Sequence, residues 1–440
     1  MSNSSKIDRK EQARLEVGRT KVAAPVALTL VALFLLMVAG PPLVELGSDL
    51  LGGRPSQSEP HALAAIAELR RGARAALGEL ALRHPRAANK QLRDAIGKAE
   101  HGLEEDSLIR RKLRAPVQRL LTSLLGLGNE QSYLGREGWL FFRPDVDYSV
   151  GRGFLDAGEL ERRRRDVDSP SSIRPDPVPA LLRFAGQLAD RGIRLLVLPV
   201  PGKNVIHPGP LLPPGRVVRP PLHNPSFGAL MSRLEAAGVA TYDPTDDLLA
   251  LAASGRPVFL RGDSHWTPHA VERAAAEVAR RVEKLAVLRE RDPPSENLLR
   301  RPVVISGRGD LVTMLRLAEP DRLFRPELIE VRKIERADGA SWRPRRGARV
   351  LLLGDSFTNV FSDPSLGWGS GAGLAEQLAF ELDRPVDRIA RNAGGAHETR
   401  EQLARELASV RDRLAVTRVV VYQFAARELV SGNWRLVDLD

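Results

Sequence analysis

Uninterrupted apolar runs that alternate with helical patterns constrain this chain most. The runs include RLLVLPV, VLLL and VVVYQF, and helix-like segments separate them. A strand that is apolar at every position is typical of a parallel sheet covered by helices on both faces. The pattern therefore predicts a three-layer α/β domain, which we place at residues 131–440.

The predicted elements of this domain follow in order along the chain. Strands are expected at 193–201, 350–353, 386–390 and 418–424. The segment 267–285 has the apolar spacing of a helix, with Thr267 as its N-cap and Pro268 at its first position. Two highly charged stretches, 161–170 and 288–302, are predicted to be solvated loops.

A Gly-Asp-Ser sequence follows one of these strands directly. The run VLLL leads into residues 354–356, and Ser356 is the last of the three. In open parallel sheets, reactive groups collect beyond the carboxyl ends of the strands. Ser356 is therefore a candidate nucleophile, although Gly-Asp-Ser alone is also a common turn sequence.

A nucleophilic serine requires a base, and the base requires an orienting group. The segment FLRGDSHWTP offers Asp263 and His265, two positions apart. In an extended segment these side chains point to the same side, so the carboxylate can hold one imidazole nitrogen. Alternatively, Asp263 is a turn residue and His265 a surface histidine. The presence of both motifs in one α/β domain favours the interpretation that these residues are catalytic.

A metal site is a competing interpretation of the same residues. Asp263, His265 and Asp355 could ligate a divalent ion, but such sites also need an Asn-His pair and further histidines. The remaining histidines are scattered along the sequence, and no phosphate-binding Gly-x-x-x-x-Gly-Lys-Ser/Thr motif occurs. We therefore predict neither a metal nor a cofactor.

The N-terminal region predicts a membrane anchor. Residues 22–44 form an uncharged run of 23 residues, long enough to cross roughly 30 Å of hydrocarbon. Six basic residues precede it, which predicts a cytoplasmic tail at 1–21 and export of the remainder. A cleaved signal peptide would have a shorter apolar core. Residues 45–130 are expected to form a linker and a helical stalk.

Charge and composition limit the classes of partner. The net charge of +11 suggests an anionic partner or, equally, a generally arginine-rich surface. Aromatic residues make up only 5% of the chain and no stripe of alternating aromatic and basic residues occurs, which disfavours nucleic acid. The chain has no cysteine, so disulfides and thiol chemistry are excluded.

Several motifs together resemble the alginate O-acetyltransferases of the AlgJ/AlgX type. They are GREGWLFF, PVPGKNVIHP, GDSHWTPHA, GRGDLVTML, LLLGDSFT, NAGG and VVVYQFAAREL, within residues 133–429. The resemblance implies an SGNH-hydrolase-like domain with Ser356 as nucleophile, His265 as base and Asp263 as its orienting residue. It also implies rearranged catalytic blocks, because the Asp-x-His motif precedes Gly-Asp-Ser. We expect no C-terminal carbohydrate-binding module of the AlgX type, which would make the chain more similar to AlgJ than to AlgX.

The same resemblance implies an acetyl-serine mechanism with an exported, alginate-like polysaccharide as acceptor. The domain would lie in the periplasm behind a single inner-membrane span, and a multi-spanning O-acyltransferase would supply the acetyl group. The oxyanion hole could combine the Ser356 N–H with Asn392 or Gly395, although a simple Asn-Gly turn explains that stretch equally well. Lys203 and Arg427 are candidate contacts for an anionic sugar, although each taken alone is better explained as a surface or ion-pair residue. An acetylesterase and a non-catalytic polysaccharide-binding scaffold remain alternatives.

Overall fold

The computed structural model of the chain describes residues 23–51, 70–71, 74, 92–97, 108–165, 173–286, 297–318, 321–409 and 412–439. The chain divides into two compact units, Met1–Val117 and Gln118–Asp440. The second unit begins upstream of residue 131, where the sequence predicts the start of the α/β domain. The predicted cytoplasmic tail and most of the predicted stalk lie outside the described residues.

Helix α1 (Ala24–Leu51) contains most of the predicted membrane anchor and continues beyond its expected end at residue 44. Large apolar side chains along this helix are exposed, among them Leu28, Phe34 and Leu36 at 69%, 62% and 70%. Within the described ranges, no helix has the length and apolar character that crossing a membrane requires.

The remaining strands and helices follow in chain order. The strands are β1 (Ser132–Leu134), β2 (Leu140–Phe142), β3 (Arg194–Val200), β4 (Ala240–Thr241), β5 (Leu298–Gly307), β6 (Glu327–Arg336), β7 (Val350–Gly354), β8 (Val386–Ala390) and β9 (Val419–Ala425). The helices after α1 are α2 (Leu108–Leu125), α3 (Arg143–Val150), α4 (Ala157–Arg165), α5 (Pro177–Asp190), α6 (Lys203–Ile206), α7 (Phe227–Ala236), α8 (Thr245–Ala253), α9 (Pro268–Leu285), α10 (Asp310–Met314), α11 (Ser356–Asn359), α12 (Leu374–Leu382), α13 (Glu398–Leu407) and α14 (Glu428–Ser431).

Five strands form a parallel sheet in the order β4-β3-β9-β7-β8. In the register, Val350 of β7 lies opposite Val386 of β8 and Val419 of β9. Every residue of β7 and β9 is buried. Because successive side chains of a strand point in opposite directions, this burial means that both faces are covered. The predicted three-layer α/β domain with a parallel sheet is confirmed.

Helix α9 begins at Pro268 as predicted and buries its apolar face in the core, including Val271, Val278 and Val282. Thr267 precedes the helix, but its side chain makes no capping hydrogen bond. The Thr267 hydroxyl instead donates to Pro257 O at 2.7 Å, which ties the start of α9 to the preceding loop.

The two predicted charged loops are partly wrong. Residues 157–165 form α4, and residues 298–307 form β5, which pairs antiparallel with β6. In α4, Arg162 pairs with Glu159 at 2.6 Å. In β5, Arg300 lies 4.2 Å from the Phe380 ring centroid and binds Glu381 at 2.6 Å. Long basic side chains can pack their aliphatic stems and reach an ion partner, so charge alone does not make a segment a loop.

Candidate active site

The Gly-Asp-Ser turn joins the end of β7 to the short helix α11. A Cβ atom on Gly354 would lie 2.1 Å from Thr358 Oγ1 and 2.9 Å from Gln423 Oε1. Only glycine permits an approach this close. Ser356 is the first residue of α11 and is half-buried. The turn therefore places its hydroxyl at the carboxyl edge of the sheet, where the strand pattern predicts reactive groups.

Asp355 fastens this turn to the neighbouring strand β9. Its Oδ1 accepts hydrogen bonds from Phe357 N and Gln423 Nε2, both at 2.8 Å. Its Oδ2 accepts one from Ala425 N at 2.7 Å. Both carboxylate oxygens are thus occupied by protein donors, which gives Asp355 a structural role in the turn.

The Asp-x-His motif forms the contact that its spacing predicts. His265 Nδ1 lies 2.6 Å from Asp263 Oδ1, and the same oxygen accepts a hydrogen bond from His265 N at 2.9 Å. Both side chains are almost completely buried, at 1% exposure for Asp263 and 4% for His265. The carboxylate fixes the imidazole orientation and holds a proton on Nδ1.

The second oxygen of Asp263 is also fully engaged. It accepts a hydrogen bond from Trp368 Nε1 at 2.8 Å and another from Asp310 N at 3.0 Å. Burial alone would raise the pKa of Asp263, but the charge of His265 and the hydrogen bonds from His265 and Trp368 hold it well below its usual range. Asp263 is therefore ionised over the whole physiological pH range.

His265 presents its other ring nitrogen without a partner. Its Nε2 is buried and makes no hydrogen bond to any described residue. Burial would lower the pKa of His265, but the charge of Asp263 and its hydrogen bond raise it above the ordinary value. An unpartnered basic nitrogen beside a carboxylate-bound Nδ1 is the arrangement that a general base requires.

Phe357 brings the two motifs together. Its ring packs against His265, with the ring centroids 4.9 Å apart, and its carbonyl accepts a hydrogen bond from Trp266 Nε1 at 3.0 Å. Ser356 precedes Phe357 directly, so both motifs lie in one local region. Within the described residues, the Ser356 hydroxyl and His265 Nε2 form no hydrogen bond.

The candidate oxyanion residues lie in the loop that follows β8. Asn392 Oδ1 accepts a hydrogen bond from Asn359 Nδ2 at 2.9 Å, and its Nδ2 donates to Asp363 Oδ2 at 2.8 Å. Asn359 ends the helix that Ser356 begins, so Asn392 lies near that helix. Gly395 is exposed and has a φ of 66°. No contact links Gly395 to Ser356 among the described residues.

Lys203, which the sequence suggested as a contact for an anionic sugar, lies in the interior of the protein. It is 1% exposed, and its ammonium donates to Leu140 O at 2.6 Å and Arg261 O at 3.0 Å. Burial lowers the pKa of Lys203 to about 8. The ammonium joins β2 to the loop that contains Arg261, and these contacts give no support to the predicted sugar contact.

Arg427 lies beside the Gly-Asp-Ser turn. It follows β9, pairs with Asp145 at 3.1 Å, and its guanidinium carbon is 5.6 Å from the Phe357 ring centroid. Burial would lower the pKa of Arg427, but the charges of Asp145, Asp355 and Glu428 raise it. A permanent positive charge therefore lies next to the ring that contacts His265.

The metal interpretation gains no support from these contacts. Ligand-type atoms of Asp263, His265 and Asp310 lie within 4.8 Å of one another. Asp263 already accepts from His265, Trp368 and a backbone N–H, and Asp310 accepts two hydrogen bonds from Ser264. A cation would have to displace these donors. Asp355, the third residue of the metal interpretation, is outside the cluster.

Comparison with known proteins assigns the chain to a family. A sequence profile of the SGNH hydrolase-like domain of the acetyltransferase AlgX matches residues 133–426. The match covers more than half of the chain and includes Asp263, His265 and Ser356. The chain belongs to this AlgX-type family. The resemblance seen in the motifs is confirmed.

Individual relatives of this AlgX-type chain are more distant. The probable alginate O-acetylase AlgJ of Pseudomonas aeruginosa is 27% identical over 256 residues, which cover 55% of this chain and 58% of AlgJ. The alginate biosynthesis protein AlgX of Pseudomonas putida is 30% identical over 132 residues, covering 29% and 27%. The chain therefore spans less than two thirds of the length of these relatives.

Solved structures support the same fold. The O-acetyltransferase domain of Pseudomonas putida AlgJ superimposes with a TM-score of 0.51 and 23% sequence identity. The superposition covers 69% of this chain and 93% of that domain. At this identity the comparison shows that the AlgX-type domain and the AlgJ domain share a fold.

Two residues of the site were absent from the sequence-based prediction. Trp368 binds Asp263 from the glycine-rich stretch GWGSG, and Asp310 binds Ser264 from the stretch GRGD. The sequence features that could have pointed to them are a tryptophan between two glycines and a Gly-Asp pair after a strand. Neither signal names its partner, because both partners lie far away in the sequence.

Proposed function

We propose that this chain is an O-acetyltransferase that moves acetyl groups onto a polysaccharide through an acetyl-serine at Ser356. Membership of the AlgX-type family supports the reaction class. One structural observation carries the proposal. His265 has Nδ1 on Asp263 and a buried, unpartnered Nε2, and it packs against the residue next to Ser356.

The first step forms the acetyl-enzyme. His265 Nε2 takes the proton of the Ser356 hydroxyl while Oγ bonds to the acetyl carbonyl carbon of the donor. The tetrahedral intermediate collapses by breaking the bond between that carbon and the donor's leaving atom. His265 returns its proton to the leaving group. A serine–histidine hydrogen bond often forms only when substrate is bound.

The second step transfers the acetyl group to the acceptor. A sugar hydroxyl gives its proton to His265 Nε2 and attacks the acetyl-serine carbonyl. The intermediate collapses by breaking the carbon–Oγ bond, and Ser356 regains the proton from His265. Asp263 stays ionised throughout and stabilises the imidazolium that forms in each step.

Backbone and side-chain donors would stabilise the negative oxygen of both intermediates. The Ser356 N–H belongs to the first residue of α11, where N–H groups have no acceptor within the helix. Asn392 lies at the other end of α11 through its hydrogen bond to Asn359, and one N–H of its amide is directed to Asp363. We assign the oxyanion hole to Ser356 N–H and the Asn392 loop, with Gly395 as a further backbone donor.

We assign an exported, alginate-like polymer as the acceptor. Two relatives are named for alginate, and the net charge of +11 would attract a polymer of uronic acids. Arg427 lies beside Phe357, the residue next to Ser356, and we propose it as a contact for an acidic sugar. Lys203 stays a prediction of the sequence alone.

Membrane anchoring is part of the same proposal. The uncharged run at residues 22–44 follows a basic tail in the sequence, which is the pattern of a single inner-membrane span with the domain in the periplasm. An acetyl group produced in the cytoplasm must then cross the membrane. We assign that transport to a multi-spanning O-acyltransferase.

Fractionation of cells that express the full chain tests the anchor. We expect the protein to stay in the membrane pellet after extraction with alkaline carbonate. Replacing Leu33 and Leu35 of α1 by arginine should release it, because charged residues at the centre of a span cost about 2.5–3.5 kcal/mol each. Extraction of the parent chain by carbonate would contradict the anchor.

Cleavage of 4-nitrophenyl acetate by the full chain, purified in detergent, tests the catalytic residues. We expect Ser356→Ala and His265→Ala each to lower kcat/KM by about two orders of magnitude or more. Ser254→Ala is the matched control, because Ser254 is an exposed serine at the end of α8 and has no part in the candidate site. Parent-level activity in either catalytic variant would exclude the proposed roles.

The acceptor decides between transfer and hydrolysis. The purified chain is incubated with the acetate ester and mannuronic-acid oligomers, and the products are analysed by mass spectrometry. A transferase adds 42 mass units, one acetyl group, to the oligomers, and the addition should disappear in Ser356→Ala. Release of free acetate with unmodified oligomers would identify an acetylesterase instead.

A further inference from the structure

The loop between β5 and α10 lies directly on the Asp-x-His motif. Gly309 has a φ of 86°, and a Cβ atom there would lie 2.3 Å from Gly262 O and 2.8 Å from Asp263 N. This close backbone contact requires glycine at position 309. It leaves the next residue, Asp310, with both its N–H and its carboxylate beside the motif.

Asp310 and the Asp-x-His motif exchange hydrogen bonds in both directions. Asp310 N donates to Asp263 Oδ2 at 3.0 Å. In return, Asp310 Oδ1 accepts from Ser264 N at 2.7 Å, and Oδ2 accepts from the Ser264 hydroxyl at 2.5 Å. Asp310 therefore constrains Asp263 and Ser264, the two residues that directly precede His265.

The contacts of Asp310 extend to the imidazole itself. The Ser264 hydroxyl oxygen lies 3.3 Å from His265 Nδ1, and Asp310 Oδ2 lies 3.7 Å from the same nitrogen. Burial and the charge of Asp263 raise the pKa of Asp310, whereas the charge of His265 and the hydrogen bonds from Ser264 act in the opposite direction. The charged groups that act on His265 are Asp263 and Asp310, with Arg427 acting in the opposite direction.

We propose that Asp310 is a positioning residue for the proposed base, holding Asp263 and Ser264 in place and adding a second negative charge beside the His265 imidazole. This inference rests on the proposed catalytic role of His265. Asp310 acts on Asp263 through its own backbone N–H. It acts on His265 through the Ser264 hydroxyl and through its own negative charge.

Asp310→Asn tests this role with little change of shape. The asparagine oxygen can still accept from Ser264 N, whereas the negative charge and the carboxylate acceptor of the Ser264 hydroxyl are lost. On 4-nitrophenyl acetate we expect kcat to fall about ten-fold or more, with KM within about two-fold of the parent value. The acid limb of the kcat/KM profile should also move to lower pH.

The direction of that movement follows from the charges. Burial lowers the pKa of His265, and the carboxylates of Asp263 and Asp310 raise it. Removing one carboxylate lowers the pKa, so the neutral base persists to lower pH. A residue with a merely structural role would not move this limb. Asp338→Asn is the matched control, because Asp338 lies in an exposed turn and pairs with Arg336.

Ser264→Ala supplies a second measurement that removes the hydroxyl and keeps both carboxylates. We expect kcat to fall about three-fold or more with an unmoved acid limb.

The proposal is overturned if Asp310→Asn keeps the parent kcat and acid limb, or loses activity only in parallel with its melting temperature. If Asp310→Asn does not fold, parent-level kcat in Ser264→Ala overturns it. Full activity of His265→Ala would instead overturn the proposed function.

Discussion

The pKa of His265 is set by burial and by the charged groups around one ring. Burial favours the neutral imidazole, whereas Asp263 at 2.6 Å and Asp310 at 3.7 Å favour the charged form. The balance raises the pKa, so the side chain accepts a proton readily. A base that is too weak would leave the serine hydroxyl unactivated, and this residue-scale balance therefore bears on the rate.

A pH profile measures that balance. The base acts in its neutral form, so kcat/KM for 4-nitrophenyl acetate should fall as the pH drops through the pKa of His265. We expect the midpoint of this limb above about 6.5, the ordinary value for histidine. Asp263→Asn should move the midpoint down, because it removes the nearest negative charge. A parent midpoint clearly below 6.5 would contradict the contacts described for His265.

At the scale of elements, the turn between β7 and α11 depends on contacts with β9. Gln423 of β9 bonds Asp355 through its amide nitrogen and accepts hydrogen bonds from Asp355 N at 3.0 Å and Thr358 Oγ1 at 2.7 Å. A glutamine buried in a central strand thus sets the orientation of α11. The position of the Ser356 hydroxyl is determined by two strands together.

Gly354→Ala tests this turn. The added methyl group would overlap Thr358 and Gln423, so the turn would have to shift. We expect a loss of about ten-fold or more in kcat/KM and a lower melting temperature.

Gly228→Ala is the matched control for Gly354→Ala. Gly228 is exposed in α7, and an added Cβ would meet no atom within 4 Å. Alanine has the higher helix propensity, so this variant should melt at the same or a slightly higher temperature with unchanged activity. Equal behaviour of the two variants would contradict the close approach at Gly354.

At the scale of the molecule, the last strand lies in the middle of the sheet. Strand β9 is inserted between β3 and β7, so the end of the chain supplies Gln423 and Arg427 to the candidate site. Arg413, which precedes β9, binds Asp387 of β8 with Nε at 2.7 Å and a terminal nitrogen at 2.5 Å. This pair holds the segment before β9 against the edge of the sheet.

Arg413→Ala should therefore destabilise the whole domain. Asp387 is 2% exposed and would be left as an unpaired buried charge, a loss of about 3–5 kcal/mol. The measurement is the melting temperature from tryptophan fluorescence, which we expect to fall by several degrees. Arg336→Ala breaks an exposed pair with Asp338 and should change the melting temperature little. Similar losses in both variants would show that burial of the Asp387 pair is unimportant.

The sequence by itself determined the class of fold and the Asp263–His265 contact. Both follow from short-range rules: burial of every residue in β7 and β9 follows from an apolar run, and the two-residue spacing puts the carboxylate on the imidazole. It also identified Ser356 as a strand-end residue. Such rules need only neighbouring residues, so the linear pattern is enough.

The tertiary structure alone decided which distant residues join the site. Insertion of β9 into the sheet brings Gln423 to the turn, and packing of two loops brings Asp310 and Trp368 to Asp263. The tertiary structure also buries Lys203, which the sequence suggested as a contact for an anionic sugar. Each of these depends on groups far apart in the chain. Side-chain packing and hydrogen-bond satisfaction choose the partners, and no local pattern encodes them.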